Sequence, residues 1–249
     1  MTSADAGATS REQSRRRAPD MARGLSLLER SVALLGRVVF GASTRVKVEG
    51  FHDAPRSGPL IIVVNHMSNA DPPLLGGWLL PAMARPVAFL AKSALFVGAF
   101  GDFLRSHGMI EVKAGGSDID AYRQARAVLD QGGVVCIFPE GTRSRTGALI
   151  EAKQGVVVLA ARTGVPVLPI GISGTDRFLS PESTFPRVGA RLRIRAGKPF
   201  RVELPRRATR DQIAAATDDL MGRIAYLIEP RHRGRYAPVP PDAPPPSIA

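Results

Sequence analysis

The chain has 249 residues, 44% of them hydrophobic, enough to bury the core of one sizeable α/β domain. Its 34 basic against 22 acidic residues give a formal charge of +12, which attracts anionic membrane, nucleic acid or phosphorylated ligands without choosing among them. The single cysteine, Cys136, excludes an internal disulfide, no CxxC spacing suggests a metal or redox site, and no uncharged apolar run reaches the ~18 residues of a membrane span.

Residues 1 to 23, rich in Arg, Ala and Ser, hold too few large apolar side chains to build a core and are expected to be a disordered basic tail. They lack the apolar run and small-residue cleavage site of a secretory signal. From Leu25 to Phe40 apolar residues recur at Leu25, Leu28, Val32, Leu35 and Val39, while Glu29, Arg30 and Arg37 take the rest of the circumference. That spacing predicts an amphipathic helix, which either packs on the sheet or lies in a bilayer interface. Strands follow over 44–50 and 60–65, then a short helix from Pro72, then a strand over 87–91. A helix from about Asp118 to Gln131, capped by Ser117 and stopped by Gly132 and Gly133, leads into a buried strand over 134–138. Another helix over 154–162 ends at Gly164 and leads into a strand over 166–172.

Helices alternating with near-continuous apolar strands predict an α/β fold: a single domain with a mostly parallel central sheet flanked by helices, preceded by the N-terminal amphipathic helix. From Arg191 to Arg195, Arg alternates with Leu and Ile, so three guanidinium groups share one strand face. That face is either simply solvated or a contact for anionic headgroups. A last amphipathic helix, from about Arg210 to Glu229, halts before Pro230, and the Pro-rich end from Pro238 is expected to be disordered.

Two strand exits carry polar clusters. The strand Leu60 to Val64 runs into Asn65, His66, Met67, Ser68, Asn69, Ala70 and Asp71, followed by Pro72 and Pro73. In an open α/β sheet the carboxyl ends of strands open into a ligand crevice. On a continuous helix His66 and Asp71 would stand about 140° apart. A residue before proline is pushed out of the helical region, so Asp71 should sit at or before the helix start and the loop can fold back to bring carboxylate to imidazole. Asp71 would then fix the tautomer of His66, leaving one ring nitrogen to accept a substrate proton. The alternative is that Asp71 caps the helix and His66 fills a polar niche. At the second exit Phe138, Pro139, Glu140, Gly141, Thr142, Arg143 and Ser144 offer a hydroxyl-accepting carboxylate, a turn of close backbone approach and a guanidinium fork for phosphate.

NHMSNAD, FPEGTRS and VPVLPIGISG, in this order and at this spacing, resemble the 1-acyl-glycerol-3-phosphate acyltransferase family, over roughly Val46 to Phe200. The resemblance implies that His66 and Asp71 are the catalytic pair. It also implies that Glu140, Gly141, Thr142 and Arg143 help bind the glycerol phosphate and that Pro169 shapes the site. Lys153 in AKQG matches a lysine that helps hold phosphate, and Lys113 stands where the family commonly has arginine, keeping the charge without the planar fork. The implied reaction moves a fatty acyl group from an acyl thioester, acyl-CoA or acyl carrier protein, to the free hydroxyl of a lysophospholipid acceptor such as lysophosphatidic acid. His66 acts as general base, with no resident cofactor or metal. The implied division is an amphipathic membrane-associating helix over 24–42, an acyltransferase domain over 43–230 and a Pro-rich disordered tail over 231–249. The implied location is peripheral, at the cytoplasmic face of the cell membrane.

Cys136 lies in an apolar strand and reads as a buried hydrophobe, and GISGT lacks the second glycine of a GxSxG elbow, so direct transfer without an acyl-enzyme is expected. Ala88 to Leu104, with Phe89, Leu90, Leu95, Phe96, Val97, Phe100 and Phe103, forms either ordinary core or a groove for an acyl chain. Two rival functions remain open on the residues alone. A hydrolase would use the same pair to activate water, although His52, His107 and His232 are too scattered for a metal site. A basic binding module is the other, yet an aromatic content of 6% offers few platforms for nucleic acid, which is not an expected partner.

Overall fold

A computed structural model of the chain describes residues 23–113, 119–180, 183, 185–244 and 246. All but Arg23 of the basic tail expected over 1–23, the cap expected at Ser117 and the last three residues lie outside the described residues. Among the described residues there are seven strands: β1 (Thr44–Glu49), β2 (Leu60–Val64), β3 (Val87–Lys92), β4 (Ile110–Val112), β5 (Val134–Ile137), β6 (Val167–Ser173) and β7 (Ala190–Ala196). They form one sheet in the order β1-β7-β6-β2-β5-β3-β4. The five strands from β6 to β4 are mutually parallel, while β7 pairs with β6 antiparallel and carries β1 parallel to itself at the edge. The mostly parallel α/β architecture is thus the one the alternating pattern predicted, with an antiparallel edge that the pattern did not show.

The central strands are buried on both faces, and their composition follows from that: every residue of β2, LIIVV, has zero exposure. One face of the sheet meets α4 (Ile119–Asp130), α5 (Gly155–Thr163) and α7 (Arg210–Leu227) through Ile61, Val63, Val135, Leu129, Val157, Leu220 and Ile224. The other meets α2 (Asp71–Met83) through Leu60, Ile62, Val134, Leu74, Leu75 and Leu79. A short helix α3 (Gly98–Ser106) links β3 to β4, and a single turn, α6 (Thr175–Phe178), follows β6. Because β2 sends its helix to one face and its neighbour β5 sends its helix to the other, the crevice at their carboxyl ends is the switch point where open α/β sheets bind ligands.

The N-terminal helix α1 (Leu27–Ser43) begins at a capping box in which Ser26 and Glu29 bond each other's backbone N–H, and Arg23 closes on Glu29 at 2.7 Å. It crosses α2 where Gly36 and Gly77 meet backbone to backbone; a Cβ on Gly77 would lie 3.3 Å from the Arg37 nitrogen. Ala33 and Phe40 are buried in that contact, and Phe40 packs against Trp78 and Phe178. The apolar stripe, expected either to pack on the sheet or to lie in a bilayer interface, points away from the body of the protein. Leu28, Val32, Leu35 and Val39, with Leu27, Leu34 and Val38, are 42–82% exposed. The small residues give the closer approach to α2, which leaves the large ones outside.

The chain beyond α7 also departs from expectation. The segment expected to be disordered from residue 231 runs against the body of the protein: His232 and Tyr236 are buried, the Val239 N–H donates to Gly222 O, and Arg223 donates to Ala243 O. Proline-rich composition suggested a tail because it offers little apolar surface; one tyrosine, one histidine and a few backbone bonds suffice to lay this one down. Among the described residues no helix is long and apolar enough to cross a membrane.

Candidate active site

β2 ends at Val64, and Asn65 continues its bonding with a side chain in place of a backbone. The buried Asn65 amide donates to Ile172 O at 3.0 Å and accepts from Ile172 N at 2.8 Å, tying the start of the loop to β6. The loop then curls so that His66 Nδ1 stands 2.9 Å from Asp71 Oδ2, the geometry expected if Asp71 opens the helix and is not carried round it. Asp71 is the first residue of α2, Pro72 and Pro73 occupy the first turn where missing N–H groups cost nothing, and the carboxylate is fully buried. The same Oδ2 accepts from the backbone N–H of Met67 at 2.7 Å and of Ser68 at 2.8 Å, so three donors converge on one oxygen. A proton on Nδ1 leaves Nε2 as the acceptor, and the His66 side chain is 16% exposed, enough for a substrate hydroxyl to reach it.

β5 leaves the sheet at the same level, since Val63 pairs with Ile137, and the FPEGTRS turn therefore lies against the His66 loop. Phe138 stacks on the imidazole with ring centroids 4.2 Å apart. Glu140 is turned inward and buried: Oε1 accepts from the His66 N–H at 2.7 Å and Oε2 from the Ile150 N–H at 3.1 Å. The Ser144 N–H donates to His66 O at 2.9 Å, so the second motif grips the main chain of the first from both sides. This corrects the expectation that Glu140 contacts substrate hydroxyls, because both of its oxygens are taken by the protein. Burial raises its carboxyl to about 7, with the Asp71 charge adding to the rise and the two backbone donors opposing it.

Gly141 has φ of +67°, and a Cβ there would lie 2.8 Å from Lys153 Cε, so the absence of a side chain lets the Lys153 stem lie over the turn. Thr142 is exposed and Arg143 half-buried, and no described residue pairs with the Arg143 guanidinium. The Ser144 and Gly141 contacts therefore set Arg143 and Lys153 beside the His66 loop. Lys113 does not join them. It follows β4 at the level of His66 but three strand places away, roughly 14 Å at the usual strand spacing. Pro169 lies mid-strand in β6, paired with Val63 and packed on Gly197, supporting the site from below without lining it. Cys136 is fully buried and its thiol is pushed far up by desolvation, which leaves it inert as a nucleophile. Asn65 was missed at sequence level; a buried polar residue directly after an all-apolar strand was the available signal.

The arrangement can hold an anion on Arg143 and Lys153 while Nε2 of His66 takes a proton from a neighbouring hydroxyl. The family described as Acyltransferase matches residues 45–173. The chain is 32% identical over 139 residues to the chloroplastic 1-acyl-sn-glycerol-3-phosphate acyltransferase LPAT1 of Arabidopsis thaliana, covering 54% of this chain and 38% of that one. It is 32% identical over 180 residues to the alpha enzyme of the same name from Mus musculus, covering 71% of this chain and 61% of that one. The chain thus spans less than two thirds of the length of these curated relatives. Among solved structures, the 1-acyl-sn-glycerophosphate (LPA) acyltransferase PlsC from Thermotoga maritima superposes with a TM-score of 0.62 at 25% identity, covering 78% of this chain and 76% of that one.

Proposed function

The chain belongs to the acyltransferase family, and from that premise we propose that it transfers a fatty acyl group from an acyl thioester to the free sn-2 hydroxyl of 1-acyl-glycerol 3-phosphate, giving phosphatidic acid. The observation that carries the reading is the 2.9 Å contact between His66 Nδ1 and the fully buried Asp71, beside an Arg143 that pairs with no described residue. The acceptor phosphate sits on Arg143 and Lys153, which brings the hydroxyl to His66 Nε2. As the hydroxyl oxygen attacks the thioester carbonyl, Nε2 takes its proton, and Asp71 stabilises the imidazolium that forms. The tetrahedral intermediate collapses, the C–S bond breaks, and the leaving thiolate recovers the proton from His66. Ester and free thiol are the products, and no covalent enzyme intermediate is required. General-base catalysis of this kind contributes roughly 10² to 10⁴ in rate.

The lipid acceptor has to be reached at a membrane. The outward face of α1, with seven large apolar residues 42–82% exposed, exceeds what a solvated helix normally shows and suits the interface of a bilayer. We place the protein peripherally on the cytoplasmic face, where its thioester donor, acyl-CoA or acyl carrier protein, would be met. The test is a screen of lysophosphatidate, glycerol 3-phosphate and other lysolipids against both donors, with free thiol measured and the product identified by mass spectrometry. Phosphatidic acid formed in step with thiol release supports the reading. Inorganic phosphate, or free fatty acid without a diacyl product, overturns it in favour of a hydrolase.

A further inference from the structure

Three described groups hold the catalytic loop in place without touching the crevice, and they form a chain. Glu140 bonds the His66 N–H with one oxygen and the Ile150 N–H with the other. Ile150 belongs to a loop without regular structure, 144–152, that depends for its shape on residues distant in sequence. His232 Nδ1 stands 2.6 Å from Gly147 O, the Leu149 N–H donates to His232 O at 2.7 Å, and the Ala152 N–H donates to the Tyr236 hydroxyl at 3.2 Å. Gly234 crosses Leu149 so closely that a Cβ would collide with its carbonyl oxygen. Arg231 fixes the start of the segment by an ion pair with Asp176 of α6 at 3.2 Å. On the far side of these contacts, Asp176, Arg231, His232, Gly234 and Tyr236 all lie beyond residue 173, where the family match ends.

We propose that the segment Pro230–Tyr236 is a positioning strap for His66, acting through the 147–152 loop and Glu140. The backbone at residue 66 is bonded on both its N–H and its C=O, so a displacement of the loop is passed to the imidazole and moves Nε2 relative to the acceptor hydroxyl. A general base works only over a narrow range of distance, and losing a single positioning bond lowers turnover while leaving the phosphate and thioester contacts intact. The strap residues are therefore positioning residues, and the inference rests on the reading of His66 as the base.

The test compares wild type with Tyr236→Phe, which removes only the hydroxyl and keeps the buried ring, in kinetics and in two-dimensional amide NMR at pH 8. The expected result is a fall in kcat of about 3- to 10-fold with both KM values unchanged, matching the loss of the hydroxyl's two weak hydrogen bonds, from the Ala152 N–H and to Ile150 O, together with a shift of the His66 backbone amide resonance. Should that variant not fold, His232→Leu and His232→Asn replace it. Only the first loses the donor to Gly147, so kcat and the His66 amide should change in the leucine variant and recover in the asparagine one. An unmoved His66 amide, a rise in KM in place of a fall in kcat, or equal behaviour of the two His232 variants overturns the strap. If wild type transfers no acyl group to any acceptor, the acyltransferase reading fails, while the amide shift still decides whether the strap reaches His66.

Discussion

Replacing Asp71 by Asn separates the two jobs the carboxylate performs. In the structure one oxygen, Oδ2, accepts from Met67 N, Ser68 N and His66 Nδ1, while Oδ1 is buried and receives no hydrogen bond from the described residues. An asparagine whose carbonyl takes the place of Oδ2 can accept all three, so the loop, the tautomer and the ring orientation survive; its NH2 falls on the unpartnered side. The negative charge beside the imidazolium is what disappears. Opposite charges about 4 Å apart attract by roughly 4 kcal/mol at an effective dielectric of about 20. If that attraction appears only as the proton reaches His66, its loss lowers kcat by about 10³, with the acceptor KM nearly unchanged. The buried, unpaired NH2 costs about 1–3 kcal/mol of stability, partly offset by no longer burying a charge. Steady-state kinetics on Asp71→Asn, with its fold checked by circular dichroism, decides the point. A kcat within about threefold of wild type would show that Asp71 only holds the loop through the Met67 and Ser68 N–H groups and that the imidazole does not become charged in the reaction.

Arg143→Ala should raise the KM for the phosphorylated acceptor by roughly 10- to 100-fold with a smaller change in kcat, as loss of a charge-assisted phosphate contact predicts; an unchanged acceptor dependence removes Arg143 from the site. Gly141→Ala forces a side chain into a positive-φ turn and against Lys153, so it should cost about 1–2 kcal/mol in a denaturant melt and also weaken acceptor binding. Glu140 gives a stability signature whose sign follows from its raised carboxyl. The folded state favours the protonated form, so its contribution is complete below the ordinary value of 4.5 and is lost as pH rises towards about 7. Between pH 5 and pH 8 wild type should therefore lose up to about 3 kcal/mol relative to Glu140→Gln in paired melts, and parallel curves would contradict the burial of that carboxyl. Leu35→Asp should reduce sedimentation with anionic phospholipid vesicles while leaving thioester turnover on a short-chain, water-soluble acceptor intact; full vesicle binding would mean that α1 does not meet the bilayer.

Much of the site could be read from residues because its two motifs sit on strand exits, where apolar runs stop abruptly and the polar residues that follow are not needed for the core. The proline after Asp71 even indicated how carboxylate and imidazole meet. What could not be read was direction. Glu140 looked like a ligand because nothing local shows that residues 66 and 150 present N–H groups to it from separate parts of the chain. Periodicity in α1 separated large apolar from small and charged residues, but which side packs was decided by the close approach of Gly36 to Gly77, a contact between segments about forty positions apart. The same limit applies to β7, whose antiparallel pairing with β6 no local pattern marked, and to α3, whose glycines at 98 and 101 conceal a helix. Lys113 was carried across by likeness alone, and its place after β4, at the far edge of the sheet, was not legible in the residues around it.

The central claim is that the ring at position 66 removes the acceptor proton, and it is met most directly by His66→Ala assayed for phosphatidic acid formation from lysophosphatidate and an acyl thioester. Turnover should fall by at least about 10²-fold in a protein whose melting behaviour and acceptor binding remain those of wild type. Near-normal turnover in that variant would contradict it.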